Sequence, residues 1–385
     1  MPTNEDTPIV AMIANYPKGT GYAWWLMQCY WEEITNAAVA RGWQSIIIYP
    51  ENSTEGGLTM ALLNPNRLES FLSNGTLCDT FAIYRLIRRL NIRSIYLTDR
   101  PFRSWKYILL RISGVKSIVV HDHTPGDRPT IAGPRGLFKQ LLNSLPWINA
   151  NKIIAISPLM RQRHQLNARI PSSRIATVTN GIIAHDLVPN ARKLLLERFS
   201  LAPDCYIICT VGRLNSYKRL DFAIQCIAEL AKENPETKPV LIIVGDGPDR
   251  SRLENFATAL NLKNQVIFTG KLDDVWSILC GVDTVIHPSA GEGLSLAILE
   301  AMAAARPIIV PSLPSVSQTI EHGSNGLIYQ EGSLDEAKGL LHDLSSSDTL
   351  RTTLGMNARR KIIEHYQLGR TMKDFHTAAI PVILR

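Results

Sequence analysis

Two glutamates, Glu292 and Glu300, stand eight residues apart in the segment DTVIHPSAGEGLSLAILEAMAAAR (283–306). An apolar run through Val285 and Ile286 meets a Pro-Ser-Ala-Gly turn, and a helix is expected to open at Glu292-Gly293. A strand that feeds a helix through small residues makes an anion site, because unpaired N–H groups and the helix dipole point at it. Eight helical residues rise about 12 Å, more than the roughly 5–9.5 Å between carboxylates that flank one glycosidic bond. The pair is therefore suited to gripping two ends of one long ligand whose charged middle meets the helix start. A nucleotide-sugar has that shape.

Other polar residues follow predicted strands. Gly212-Arg213 begins a loop, with Lys218 five residues later. Two cations at a sheet mouth can clamp a diphosphate, Arg as a fork and Lys as a point charge; a solvated loop is the alternative. Gly245, Gly247 and Pro248 form a tight turn that is neither G-x-G-x-x-G nor a P-loop. Gly19, Thr20 and Gly21 open the first helix, as a phosphate or acceptor loop or as a plain turn. His121-Asp122-His123 lacks a second ligand cluster for a metal, and no D-x-D pair exists. His121 is better suited to a polar role near a sugar. Asp122, His123, Asp127 and Arg128 are weaker candidates for holding an acceptor. His287, before Pro288, reads as structural rather than chemical, though it borders the site.

These residues need a scaffold. Short apolar runs alternate with helical patterns, which predicts an α/β doubly wound architecture. Strands are expected at Ile9–Ala14, Ser45–Tyr49, Ser94–Leu97, Ser117–Val120, Lys152–Ile156 and Ile175–Val178. The pattern restarts with Cys205–Val211, Val240–Val244, Val266–Thr269, Thr284–His287 and Pro307–Val310. The expected division is 1–185, 186–365 and a helical tail, 366–385, that packs on either half. In such folds ligands sit at the carboxyl ends of the strands.

A chain of 385 residues suits two domains, and 45% hydrophobic with 19% charged residues describes a globular protein. No apolar stretch is long enough to span a bilayer. The acidic start MPTNEDTPIV argues against a signal peptide. The six scattered cysteines, with no C-x-x-C, read as reduced core thiols, and the expected location is cytoplasmic. Net charge is +7, and Asp99 is the only acid from Arg85 to Lys116 among nine basic residues. Within that region Trp105, Ile108, Leu109 and Ile112 fall at helical spacing beside cations, the pattern of a helix on the inner face of an anionic membrane. A core-facing helix with solvated cations is the alternative. Nothing resembling a nucleic-acid-binding motif accompanies the charge.

The chain resembles the retaining glycosyltransferases of family 4, with the GT-B fold of two Rossmann-like domains facing each other across a cleft. The resemblance is strongest in VGRLNSYKRLDFAI, LIIVGDGP, VIFTGKLDD, HPSAGEGLSLAILEAMAAARPIIV and EHGSNGLIY, and weaker in VVHDHTP, NKIIAISPLM and VTNGI. It implies that Arg213 and Lys218 neutralise the donor diphosphate, Glu292 holds sugar hydroxyls, and Gly293 and Leu294 offer N–H groups. It also implies that Glu300 binds the ribose, Lys271 and Leu272 lie against the base, and His121 touches the sugar near the reacting carbon. The expected partners are a nucleoside diphosphate hexose and a carbohydrate or lipid-linked acceptor, in cell-surface polysaccharide or glycolipid assembly, with no cofactor and no metal. Two positions depart from the family: Ala305 stands where many relatives carry Gly, a packing difference on this reading, and Ile183 where they carry Asp. A nucleotide-sugar epimerase and a binding module without catalysis are the competing readings. A dehydrogenase is disfavoured because the dinucleotide fingerprint is absent.

Overall fold

Runs of β-branched residues form the strands of two parallel sheets, in a computed structural model that describes residues 7–15, 24–49, 66–124 and 133–385. Gly19, Thr20, Gly21, Asp127 and Arg128 lie outside those residues. The chain divides into two compact units, Met1–Asn180 with Gly369–Arg385, and Gly181–Leu368.

The first unit holds β1 (Ile9–Ile13), β2 (Gln44–Ile48), β3 (Ile92–Thr98), β4 (Ser117–Asp122), β5 (Lys152–Ala155) and β6 (Ile175–Thr177). Their order is β2-β1-β3-β4-β5-β6, all parallel. β1 reads IVAMI with every residue buried, the continuous apolar run expected of a strand covered on both faces. Helix Trp24–Ala40 buries Leu26, Met27, Tyr30, Trp31, Ile34 and Ala38, at the 3–4-residue spacing of one helical face. Gly42, at φ 73°, follows its end. The tail helix Leu368–Ile383 belongs to this unit and buries Thr371, Phe375, Ala379, Ile380 and Ile383.

The second unit holds β7 (Tyr206–Val211), β8 (Pro239–Val244), β9 (Val266–Gly270), β10 (Thr284–Ile286), β11 (Ile308–Pro311) and β12 (Leu327–Tyr329). The order is β12-β11-β10-β7-β8-β9, again parallel. β12 was not foreseen: three residues between Gly326 and Gly332 carry no readable period. One core cluster joins Ile208, Leu241, Ile243 and Ile286 of the sheet to Ile224, Ile227 and Leu230 of helix Leu220–Glu233. Burying each such side chain contributes about 1.5–3 kcal/mol, and this fixes the strand ends that carry the loops described below.

Two expectations need correction. The helix after β10 spans Leu296–Ala303, with Ser295 extended at its N-cap, so it does not open at Glu292-Gly293. Gly291 and Gly293 flank Glu292 and disfavour helix, so the chain stays irregular until Ser295, a residue type favoured at caps. The cysteines are also not all core residues: all six are free, but Cys78 is exposed and Cys29 half-buried.

Candidate functional site

The second sheet reverses its winding between β7 and β10, which are direct neighbours. In an open parallel sheet such a switch point parts the loops at the strands' carboxyl ends and leaves a crevice. The loop after β7 carries Arg213 and Lys218; the loop after β10 carries Glu292, Gly293 and Leu294.

Each loop is locally braced. Asn215 Oδ1 accepts from the Lys218 N–H at 3.2 Å and caps the short turn Ser216–Lys218. The Ala290 N–H donates to the Tyr217 carbonyl at 3.0 Å, tying the two loops together. Lys218 Nζ thereby lies 2.6 Å from Glu292 Oε1. His287 Nε2 reaches the same oxygen at 2.8 Å, and Ser295 Oγ lies 3.4 Å from that nitrogen.

Burial alone would raise the Glu292 pKa, but the His287 hydrogen bond and the Lys218 charge outweigh it and hold the carboxyl down at about 2. His287 is itself pushed below its ordinary value, by burial first and by Lys218. Glu292 is therefore an anion at neutral pH and His287 is neutral. Its Nε2 must carry the proton donated to the carboxylate. Sequence reading gave His287 a structural role; its contact with Glu292 arises from the fold of an irregular loop, where residue spacing has no register.

The remaining second-unit candidates differ in setting. Arg213 is exposed, and among the described residues its guanidinium has no partner. Gly293 and Leu294 are buried ahead of the helix that carries the half-buried Glu300. Lys271 is exposed and Leu272 half-buried directly after β9. Gly245 and Gly247 serve the scaffold. A Cβ on Gly245, at φ 134°, would lie 1.9 Å from the Gly212 carbonyl oxygen; one on Gly247 would lie 2.2 Å from that of Leu214. Only bare backbone lets the loop after β8 support the loop that carries Arg213.

In the first unit His121 is fully buried at the end of β4, ringed by Tyr30, Tyr96, His123 and Phe375. Tyr96 Oη lies 2.6 Å from His121 Nδ1, and among the described residues Nε2 has no partner. Burial, then the neighbouring His123, keeps the ring neutral well below its ordinary pKa, despite Asp122. Asp122 points into a different network. Its Oδ2 accepts from Arg163 Nη2 at 2.9 Å and lies 2.8 Å from His164 Nε2, while Oδ1 accepts from the Thr124 N–H. Burial opposes ionisation there, but these contacts hold the carboxyl well below the usual range. Arg163 and His164 gave no sequence signal, because they come from a helix-like stretch more than forty positions away. Among the described residues no group of three or more His, Cys, Asp or Glu is placed to hold a metal ion, and no helix is long and apolar enough to cross a membrane.

Residues 194–361 match the family described as Glycosyl transferases group 1, and residues 27–185 match Glycosyltransferase Family 4. An uncharacterised glycosyltransferase of Methanocaldococcus jannaschii is 32% identical over 171 residues, 44% of this chain and 43% of that one. The chain thus spans less than half the length of that relative. The alpha-D-kanosaminyltransferase of Streptomyces kanamyceticus is 27% identical over 279 residues, 69% of this chain and 70% of its own. The crystal structure of Anabaena HepE in complex with UDP-glucose superposes with a TM-score of 0.69 at 17% identity, covering 96% of this chain and 98% of that one. The likeness extends to the fold, two parallel Rossmann-like sheets, as the sequence led one to expect.

Proposed function

We propose that this chain, which belongs to the family 4 glycosyltransferases with the GT-B fold, moves a hexose-type sugar from a nucleoside diphosphate to an acceptor hydroxyl with retention of configuration. The observation that carries this reading is the cluster of Lys218, Glu292 and His287 at the switch point between β7 and β10. A cation and an anion poised at 2.6 Å match the two halves of a sugar diphosphate. Lys218 and Arg213 face the diphosphate, Glu292 accepts from sugar hydroxyls, and the Gly293 and Leu294 N–H groups meet phosphate or sugar. Glu300 takes the ribose hydroxyls, and Lys271 with Leu272 lies against the base. UDP is the favoured base carrier, because a chain of the same fold is known with UDP-glucose.

When the bond between the anomeric carbon and the phosphate oxygen breaks, negative charge grows on the diphosphate and positive charge on the ring. Arg213 and Lys218 stabilise the first without a metal. The acceptor oxygen bonds to the anomeric carbon on the face the phosphate leaves, and its proton passes to that phosphate. Glu292 is already committed to Lys218 and His287 through Oε1, which disfavours it as a covalent nucleophile. His121, neutral and buried, is assigned to the sugar near the reacting carbon, and a carbohydrate or lipid-linked molecule is the acceptor, in polysaccharide or glycolipid assembly. The location proposed is cytoplasmic.

The test is thermal stabilisation of the purified chain by UDP-, GDP-, ADP- and dTDP-sugars, since a ligand of the native state raises the melting temperature. One nucleotide-sugar should give a clear shift that Arg213→Ala, Glu292→Ala and Glu300→Ala each diminish. Transfer rates near wild type in all three variants would overturn the assignment.

A further inference from the structure

We infer that the helix Gly133–Ser144 and the residues just after it dock the first unit on an anionic lipid surface. This helix shows its apolar side to solvent. Leu137, Phe138, Leu141, Leu145 and Trp147 are between 40% and 66% exposed, whereas the buried positions of the helix are Gly136 and Asn143. Positions 137, 138, 141 and 145 share one helical face. In an ordinary surface helix that face is the one turned inward.

Hydrogen bonds hold the helix in this orientation. Asn143 donates through Nδ2 to the Ala168 carbonyl at 2.6 Å and accepts from Arg103 Nη1 at 3.0 Å. Arg174 donates to the Asn143 and Ser144 carbonyls at 3.3 and 3.0 Å. Rolling the leucines inward would break all four contacts and strand a buried amide.

A second apolar stripe adjoins the first. The helix Lys106–Ile112 and its N-cap leave Trp105, Ile108 and Ile112 exposed. The Ser104 N–H donates to the Ile148 carbonyl at 2.8 Å. Trp105 and Trp147 are thus each one residue from the same main-chain junction, and paired exposed tryptophans suit a membrane–water boundary.

Charge selects the occupant. No Asp or Glu occurs from Gly133 to His185, while Arg135 and Lys139 lie on the helix itself. A second copy of this face would oppose like charge to like charge; an anionic lipid surface complements it. The basic region 85–116 contributes less free charge than its sequence implies. Arg100 pairs with Glu69 at 2.6 Å, the Lys106 amine donates to the Phe71 and Leu72 carbonyls, and Arg111 donates to the Asn149 carbonyl and Asn151 Oδ1.

The experiment is flotation of the whole chain with vesicles of phosphatidylcholine alone, and with about one third phosphatidylglycerol. Binding should favour the anionic vesicles by about tenfold and weaken in high salt. The triple variant Phe138→Ser, Leu141→Ser, Trp147→Ser should lose about tenfold in binding at an unchanged melting temperature, since all three side chains are solvent-exposed. Arg135→Glu, which keeps the apolar face, should weaken binding to anionic vesicles alone. Equal recovery from both vesicle types, or unchanged binding by both variants, overturns the proposal. So does a stable dimer in light scattering that the triple variant dissociates, which would assign the face to a second copy. None of these readouts depends on the donor or on transfer.

Discussion

His287 and Lys218 approach Glu292 from two different loops and meet on one oxygen, Oε1, at 2.8 and 2.6 Å. The imidazole is buried and its contact is short, so it fixes the carboxylate's rotamer while Lys218 balances its charge. His287→Ala is expected to lower kcat by about tenfold with a smaller change in donor KM, because the misplaced group acts on the transition state more than on ground-state binding. His287→Gln, which can still donate to the carboxylate, should recover part of the loss. Steady-state kinetics on the three proteins decide it; wild-type kcat in His287→Ala would remove the positioning role.

The depressed Glu292 pKa sets the direction of a pH effect. A carboxyl whose folded pKa lies below its unfolded value of about 4.3 contributes its full stabilisation above that unfolded value. The contribution is lost as the pH falls toward the folded value of about 2. Denaturation of wild type and Glu292→Gln should therefore differ by a constant amount above about pH 5 and converge toward about pH 2. A difference that grows on acidification would contradict this.

Asp122 answers a buried guanidinium, so Asp122→Asn should cost about 3–5 kcal/mol by removing a buried carboxylate that Arg163 donates to. Both side chains are nearly inaccessible, at 5% and 6% exposure, so solvent screening is slight. Urea unfolding measures the loss. A change under about 1 kcal/mol would show that the Asp122 charge does not hold this network together.

Ala305 adopts φ 56° just after the helix Leu296–Ala303. The left-handed region penalises any Cβ by roughly 1–2 kcal/mol, which gives this position a backbone preference for glycine; packing was the expectation from sequence. Ala305→Gly is expected to raise stability by up to about 1 kcal/mol after glycine's greater unfolded entropy is subtracted. A lower melting temperature in the variant would refute the strain argument.

The strands of both sheets were readable because buried parallel strands leave unbroken β-branched runs such as YIICTV and PVLIIV. Lys218 and Glu292 were readable as candidates because both follow such strands in loops that also carry glycines, Gly212 in one and Gly291 and Gly293 in the other. The helix start was misplaced by four residues because Gly-Leu-Ser-Leu continues an apolar helical pattern, and only backbone geometry reveals the extended Ser295. Contacts across irregular chain, such as His287 with Glu292 or Asp122 with Arg163, follow no periodicity. The outward apolar face of Gly133–Ser144 was equally hidden, since periodicity identifies a face without saying which way it points.

The first unit's core is finished by residues encoded after the second unit. Phe375, from the tail helix, packs against Tyr30, Tyr96 and His121 with centroids 4.8 to 6.0 Å apart, and Thr371 Oγ1 donates to the Thr179 carbonyl at 2.8 Å. Residues 181–368 intervene. At about 5–20 residues per second, a ribosome spends roughly 10–40 s on that stretch. Throughout that interval Tyr30, Tyr96 and His121 lack the ring that packs on them in the finished unit. Chaperone dependence during synthesis should therefore track the tail helix rather than the strands it covers.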